Sequence, residues 1–86
     1  MDQTAQALKK ETEKWLAKLE KERALVNAAG GPLEKAAKSA LRNLDAYMKD
    51  TRHFLEKQDF VRAFEAVIYA YGILETCERL GLIKRD

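Results

Sequence analysis

DFVRAFEAVIYAYGILETCERLG, residues 59–81, is the stretch of sequence that decides the fold. It is the most apolar part of the chain and contains the single Cys. At about 100° per residue its apolar side chains fall on one broad arc, which predicts a long amphipathic helix over about 60–80. Asp59 is placed to cap its N-terminus, and Gly81 to end it in the left-handed conformation. The arc consists of Phe60, Ala63, Phe64, Val67, Ala70, Tyr71, Leu74 and Cys77.

Two more helices precede this one. Helix one, about residues 4–27, has the stripe Leu8, Thr12, Trp15, Leu19 and Val26. Helix two spans about residues 33–57, with the stripe Leu33, Ala37, Ala40, Leu44, Tyr47, Met48, Thr51, Phe54 and Leu55. Gly30, Gly31 and Pro32 break the chain between them, which argues against a continuous coiled-coil rod.

Only Gln58 and Asp59 separate helix two from helix three, so these two helices form an antiparallel hairpin. The sequence therefore predicts an all-α, single-domain protein over residues 1–86, with the architecture of a three-helix up-down-up bundle. Trp15 is expected to be largely buried against helix three. Residues 82–86 are expected to form a short tail, with Leu82 or Ile83 covering the end of the core.

The composition indicates a small protein that does not enter a membrane. The chain has 86 residues and a net charge of +2. It contains no apolar run near the roughly 18 residues of a membrane span and no apolar N-terminal stretch typical of a signal peptide. A lone Cys on the apolar arc is expected to be a buried thiol. The expected location is the cytoplasm.

Residue types that carry out catalysis are scarce, and they are poorly placed. A nucleophilic dyad needs Cys77 and His53 in contact, but the predicted hairpin separates them by about 20 Å at 1.5 Å per residue. Asp50 and His53 make one helical carboxylate–His pair, whereas di-iron bundles use two such pairs with further Glu. Gly30-Gly31 lacks the flanking Gly and Lys of a phosphate-binding loop. We therefore expect no catalytic residue, metal or cofactor.

Basic residues form rows on the outer sides of the first two helices. Such rows can follow a phosphate backbone, so a weak, sequence-independent nucleic-acid binder is one hypothesis. Acidic residues interleave with them, and no aromatic residue interrupts either row to stack on a base, which makes an ordinary solvated surface the favoured interpretation. The rows are Lys10, Lys14, Lys18 and Lys21, then Lys35, Lys38, Arg42, Lys49 and Arg52.

Helix three carries more apolar residues than two neighbouring helices need. Val61 and Ile68 lie on one flank of its arc, and Tyr69 and Ile73 on the other. Gly72, inside the helix, would let a second helix approach closely. The alternatives are that helix one covers this side, or that Gly72 accommodates Trp15. The predicted protein interface consists of Val61, Glu65, Ile68, Tyr69, Gly72 and Thr76.

The segment from Tyr47 to Gly81 contains a distinctive series of residues: Tyr47, Phe54, Asp59-Phe60-Val61, Ala63, Ala66, Tyr69-Ala70-Tyr71-Gly72 and Leu80-Gly81. In this series the segment resembles an archaeal family of unknown function, DUF357. The resemblance implies a compact three-helix bundle in an archaeal cytoplasm, with no established activity and no catalytic residue. Helix one matches only in its apolar pattern, and Gln58 departs from the Gly-Asp turn that such sequences often show. A weaker likeness to tetratricopeptide hairpins rests on one hairpin, where repeat proteins need several.

The preferred functional hypothesis is a non-catalytic protein-interaction or self-association module. A homodimer formed through helix three is its simplest version. The alternative is nucleic-acid binding through the basic rows.

Overall fold

The computed structural model, which describes all 86 residues, consists of three helices that lie side by side. The elements are α1 (Gln3–Ala24), β1 (Val26–Ala28), α2 (Glu34–Glu56), α3 (Phe60–Arg79) and β2 (Ile83–Arg85). The molecule is elongated, with principal extents of 49 × 17 × 17 Å. The predicted all-α, up-down-up bundle is confirmed, with the addition of a two-stranded antiparallel sheet at one end.

The core is built from one buried stripe of each helix. Leu19, Leu44 and Val67 are completely buried, and they come from α1, α2 and α3 respectively. Burying a side chain of this size stabilises the fold by about 1.5–3 kcal/mol. Nine residues form this cluster: Leu16, Leu19, Val26, Leu41, Leu44, Met48, Val67, Ala70 and Leu74. The predicted stripes therefore identify most of the core.

The turn between α2 and α3 has the hydrogen bonds of a Schellman motif. The N–H of Asp59 donates to the carbonyl of Phe54 at 2.9 Å, and the N–H of Gln58 donates to the carbonyl of Leu55 at 3.1 Å. Gln58 itself has φ 60°, a left-handed conformation that favours glycine. The carboxylate of Asp59 then accepts from the N–H of Arg62 at 3.2 Å, which confirms the predicted N-cap.

A second Schellman motif ends α3. The N–H of Leu82 donates to the carbonyl of Cys77 at 2.9 Å, and that of Gly81 donates to Glu78 at 3.1 Å. Gly81 has φ 69°, as its predicted C′ role requires. The turn reverses the chain, so that the residues after α3 run back toward the end of α1.

The predictions that helix one continues through residues 25–27 and that residues 82–86 form a tail are wrong, because both segments contribute to the sheet. The expected contact of Ile83 with the core is correct. Helix α1 ends at Ala24, and Val26 pairs with Arg85 in the register of β1 and β2. Two more backbone bonds extend this pairing, from Ala29 to Leu82 and from Asp86 to Leu25, each 2.8 Å long. Val26 fits the helical stripe of α1, yet it lies in β1, from which it packs into the core cluster and is only 2% exposed. Its partner lies at the far end of the chain, so no local pattern could indicate it.

Two apolar residues are less buried than expected. Trp15 contacts α3, where its ring lies edge-to-face with Tyr71 at a centroid distance of 5.3 Å, but it remains half-buried. Its Nε1 donates to the carboxylate of Glu11 at 3.1 Å on the exposed side. Leu33, assigned to the stripe of helix two, precedes α2 and is 60% exposed. The contact of Trp15 with helix three is therefore correct, but its extent of burial and the placement of Leu33 in the core are wrong.

Candidate functional site

All six residues of the predicted interface are exposed, and they lie on the outward side of α3. We call this surface the α3 face. Val61 is 57% exposed, Ile68 44% and Tyr69 61%. The opposite side of α3 faces the core, and α1 contacts the helix beside Tyr71, away from these residues. The alternative in which helix one covers this side is therefore wrong. The α3 face comprises Val61, Glu65, Ile68, Tyr69, Gly72 and Thr76.

Gly72 has no packing role within the chain. A Cβ atom built on Gly72 would meet no heavy atom within 4 Å, apart from its own helix backbone and chain neighbours. Trp15 packs on Tyr71 instead, so Gly72 does not accommodate it. A glycine inside a helix destabilises it by about 0.8–1.0 kcal/mol relative to alanine. Nothing inside the monomer offsets that loss.

An apolar groove of about 480 Å³ lies between α2 and α3, directly beside Gly72. Its walls are low because Ala40, Gly72 and Thr76 have small side chains or none. Tyr69 lies at the groove and also packs against Tyr47 of α2, with ring centroids 4.6 Å apart. The groove is lined by Ala40, Tyr69, Gly72, Ile73, Thr76, Cys77 and Leu82.

Part of this groove has no signal in the sequence. The position of Ile73 on the flank of the apolar arc is a usable signal, whereas the pattern assigned Ala40 and Leu82 to the core and not to a groove. They reach the groove because of the register between α2 and α3 and because of the turn at Gly81.

Some charged residues beside the α3 face form ion pairs within the chain, and others do not. Arg62 pairs with Asp59 at 3.5 Å. Glu65 and Arg79 are both exposed, and neither belongs to any of the ion pairs in the chain. Glu75 is likewise exposed and belongs to no ion pair, so two free carboxylates and one free guanidinium remain on the outward side of α3.

The basic rows are partly neutralised by contacts within the chain. Lys38 pairs with Glu34, and Arg52 with Glu20, each at 3.6 Å. The Glu20–Arg52 pair connects α1 with α2, so a carboxylate lies between the two rows. The other seven basic residues of the rows form no ion pair: Lys10, Lys14, Lys18, Lys21, Lys35, Arg42 and Lys49.

One aromatic residue does lie beside the row on α1, contrary to the sequence-based prediction. The Nζ atoms of Lys14 and Lys18 are 5.4 and 5.0 Å from the ring centroid of Trp15. Both distances suit cation–π contacts. The prediction failed because Trp15 was counted as a core residue, whereas its half-exposed ring extends toward the lysines.

A cluster of charges surrounds Tyr71 where α1, α3 and β2 meet. The guanidinium of Arg85 pairs with Glu22 at 2.5 Å and also with Glu78. The hydroxyl of Tyr71 is buried and has no protein partner. Burial, followed by the nearby Glu22 carboxylate, raises the pKa of Tyr71 above its ordinary value of 10.0. These ion pairs hold β2 against the ends of the two helices.

The two residues considered for a nucleophilic dyad, Cys77 and His53, lie in different surroundings. Cys77 is buried, and burial raises the pKa of its thiol. The exposed ring of His53 packs on Phe54, with centroids 5.6 Å apart. No three His, Cys, Asp or Glu side chains are grouped so as to hold a metal ion. No helix has both the length and the hydropathy that spanning a bilayer requires.

Comparison with known proteins agrees with the fold. The family model described as "Protein of unknown function (DUF357)" matches residues 10–83. A crystal structure of a protein from Archaeoglobus fulgidus, assigned to the same family model, is similar with a TM-score of 0.84 and 34% sequence identity. That similarity covers 96% of this chain and 99% of the other. No curated protein sequence matches the chain. The match over most of its length shows that this three-helix protein belongs to the DUF357 family.

Proposed function

We propose that the chain is a non-catalytic protein-interaction module whose contact surface is the α3 face. The observation that carries this proposal is the position of Gly72, which nothing in the chain approaches, among exposed apolar side chains and beside an apolar groove. Self-association is the simplest form of such an interaction.

Scattered apolar residues are common on protein surfaces, so exposure alone is weak support. Here three large exposed side chains, Val61, Ile68 and Tyr69, share one side of one helix with Gly72. A helix-interior glycine allows the backbone of a partner to approach closely, a benefit that the monomer does not use. A contact outside the chain would offset the loss of helix stability at Gly72, which supports the proposal.

The test compares affinity capture by three forms of the protein from a lysate of the source organism. Ile68→Glu places a charge in the centre of the α3 face, and Lys49→Glu places the same side chain on an exposed, unpaired position of α2. Wild type and Lys49→Glu are expected to capture the same protein, which is lost with Ile68→Glu. Circular dichroism checks that both variants keep the helical content of the wild type. Equal capture by all three forms, or no capture by any, would contradict the proposal.

Nucleic-acid binding is the second candidate, and one observation favours it. Trp15 offers a half-exposed ring beside the row that contains Lys14 and Lys18. An aromatic ring with neighbouring cations is a common stacking platform for single strands. We propose this function second because Glu34 and Glu20 already pair with two of the cations and interrupt the positive surface.

The salt dependence of binding tests this second candidate. Affinity for an unstructured oligonucleotide should fall steeply with salt and be largely indifferent to sequence. Replacing Lys10, Lys14 and Lys18 together by Gln should flatten that slope. Absence of binding at about 50 mM salt, where electrostatic contacts are strong, would rule the candidate out.

A further inference from the structure

We infer that the partner of the α3 face is a second copy of the same chain, packed through an antiparallel pair of α3 helices related by a twofold axis near residue 70. The inference rests on the proposed function, because it uses the same surface. It adds the identity of the partner and the residues through which the two copies are in contact. Three features of α3 support it: shape, charge and the position of the groove.

The shape of the α3 face is self-complementary. Ile68 projects from α3 and is 44% exposed, whereas Gly72, one turn further along the same side, leaves open space. A twofold axis midway between them places Ile68 of each copy against Gly72 of the other. The contact thus forms twice with one set of residues, as an isologous interface requires. The missing side chain at Gly72 makes room for the branched side chain of Ile68.

One pair of opposite charges, Glu65 and Arg79, matches under the same symmetry. Glu65 and Arg79 are fourteen residues apart, about 21 Å along the helix at 1.5 Å per residue, so they do not pair within one chain. Across the twofold axis, Glu65 of one copy and Arg79 of the other are offset by only about 6 Å along the helix at the same rise. Because Cα–Cβ bonds tilt toward the N-terminus of each helix, the two side chains converge in the antiparallel arrangement. Glu65 and Arg79 therefore each gain a partner, and the pair forms twice. Glu75, also exposed and unpaired, comes level with Glu65 of the other copy, so Arg79 is the cation next to both carboxylates.

The groove completes the match. A twofold axis of this kind keeps the α2 side of one copy next to the α2 side of the other. Tyr69, 61% exposed, then approaches the groove of the second copy beside Gly72 and Thr76. An exposed aromatic ring and an apolar groove lie on the same surface of one molecule, which is a further condition for self-association. Binding to a different protein would not require the α3 face to be complementary to itself in shape, charge and groove position.

Charge reversal tests the arrangement directly. Sedimentation equilibrium should show a dimer for the wild type, and Glu65→Arg and Arg79→Glu should each raise its dissociation constant about tenfold or more, since close interfacial charge pairs are strongly coupled. The double variant should restore dimerisation to nearly the wild-type level, because the pair is re-formed with its charges exchanged. Gly72→Ala should raise the midpoint of thermal unfolding at low protein concentration and weaken the dimer. Helical content measured by circular dichroism controls for folding.

The outcomes separate the inference from the proposed function. A wild type that remains monomeric up to about 1 mM, the weak end of specific binding, overturns the second-copy inference. If capture of another protein is nevertheless lost in Ile68→Glu, the proposed function stands without it. A dimer that Ile68→Glu leaves intact uses another surface and overturns the second-copy inference, and the proposed function also fails if Ile68→Glu leaves capture unchanged. A dimer disrupted by the single reversals but not restored by the double variant overturns the antiparallel arrangement.

Discussion

Gln58→Gly is expected to stabilise the protein, even though it removes the whole side chain. Gln58 is exposed and has φ 60°, and it is the only non-glycine residue with positive φ. The two hydrogen bonds that close the turn, 3.1 Å at Gln58 and 2.9 Å at Asp59, use backbone atoms alone. Glycine at position 58 would therefore keep the whole turn and remove the steric conflict between Cβ and the following carbonyl.

The size of the effect follows from two opposing contributions. A non-glycine residue in the left-handed conformation costs about 1–2 kcal/mol. Glycine loses about 0.5–1 kcal/mol more conformational entropy on folding than other residues do. The net gain is about 0.5–1 kcal/mol. With an unfolding entropy of about 2.1 cal/mol/K per residue over 86 residues, Tm should rise by about 3–6 °C.

Thermal unfolding followed by circular dichroism measures this difference, with Lys57→Gly as the matched control. Lys57 is the neighbouring residue and has φ −79°, so glycine there relieves no strain and only adds entropy to the unfolded chain. Lys57→Gly should lower Tm, while Gln58→Gly raises it. If both variants lower Tm equally, the left-handed conformation of Gln58 does not destabilise the fold as argued.

Three further predictions concern the interior. Leu19→Ala removes a side chain with no exposed surface and should lower the free energy of unfolding, measured by urea titration, by about 2.7–5 kcal/mol. A loss under about 1 kcal/mol would contradict the placement of Leu19 in the core. Because folding raises the pKa of Tyr71, the folded state holds this proton more tightly than the unfolded state, so stability should fall as pH rises through the ordinary value of 10.0. Tyr71→Phe should reduce that fall, and an unchanged pH profile in this variant would contradict the prediction. Cys77, buried and with a raised pKa, should react with a thiol reagent far more slowly in the native protein than in urea, and equal rates would show that the thiol is accessible.

The candidate site illustrates how much can be inferred from local sequence. The surplus of apolar residues on α3 is enough to identify Val61, Ile68 and Tyr69, because helical periodicity separates core positions from flanking ones. The same periodicity cannot tell whether α1 covers them. That depends on which side of α3 the first helix contacts, which the edge-to-face contact between Trp15 and Tyr71 settles.

The sequence by itself determined the three helices, the hairpin between α2 and α3, and the caps at Asp59 and Gly81, since each of these depends on residues close together along the chain. Only the tertiary structure decided the rest. The β1–β2 sheet joins residues from the two halves of the molecule, and the groove at Gly72 arises from the register of two helices. Both are contacts between distant parts of the chain, and local periodicity carries no information about which distant backbone will be adjacent.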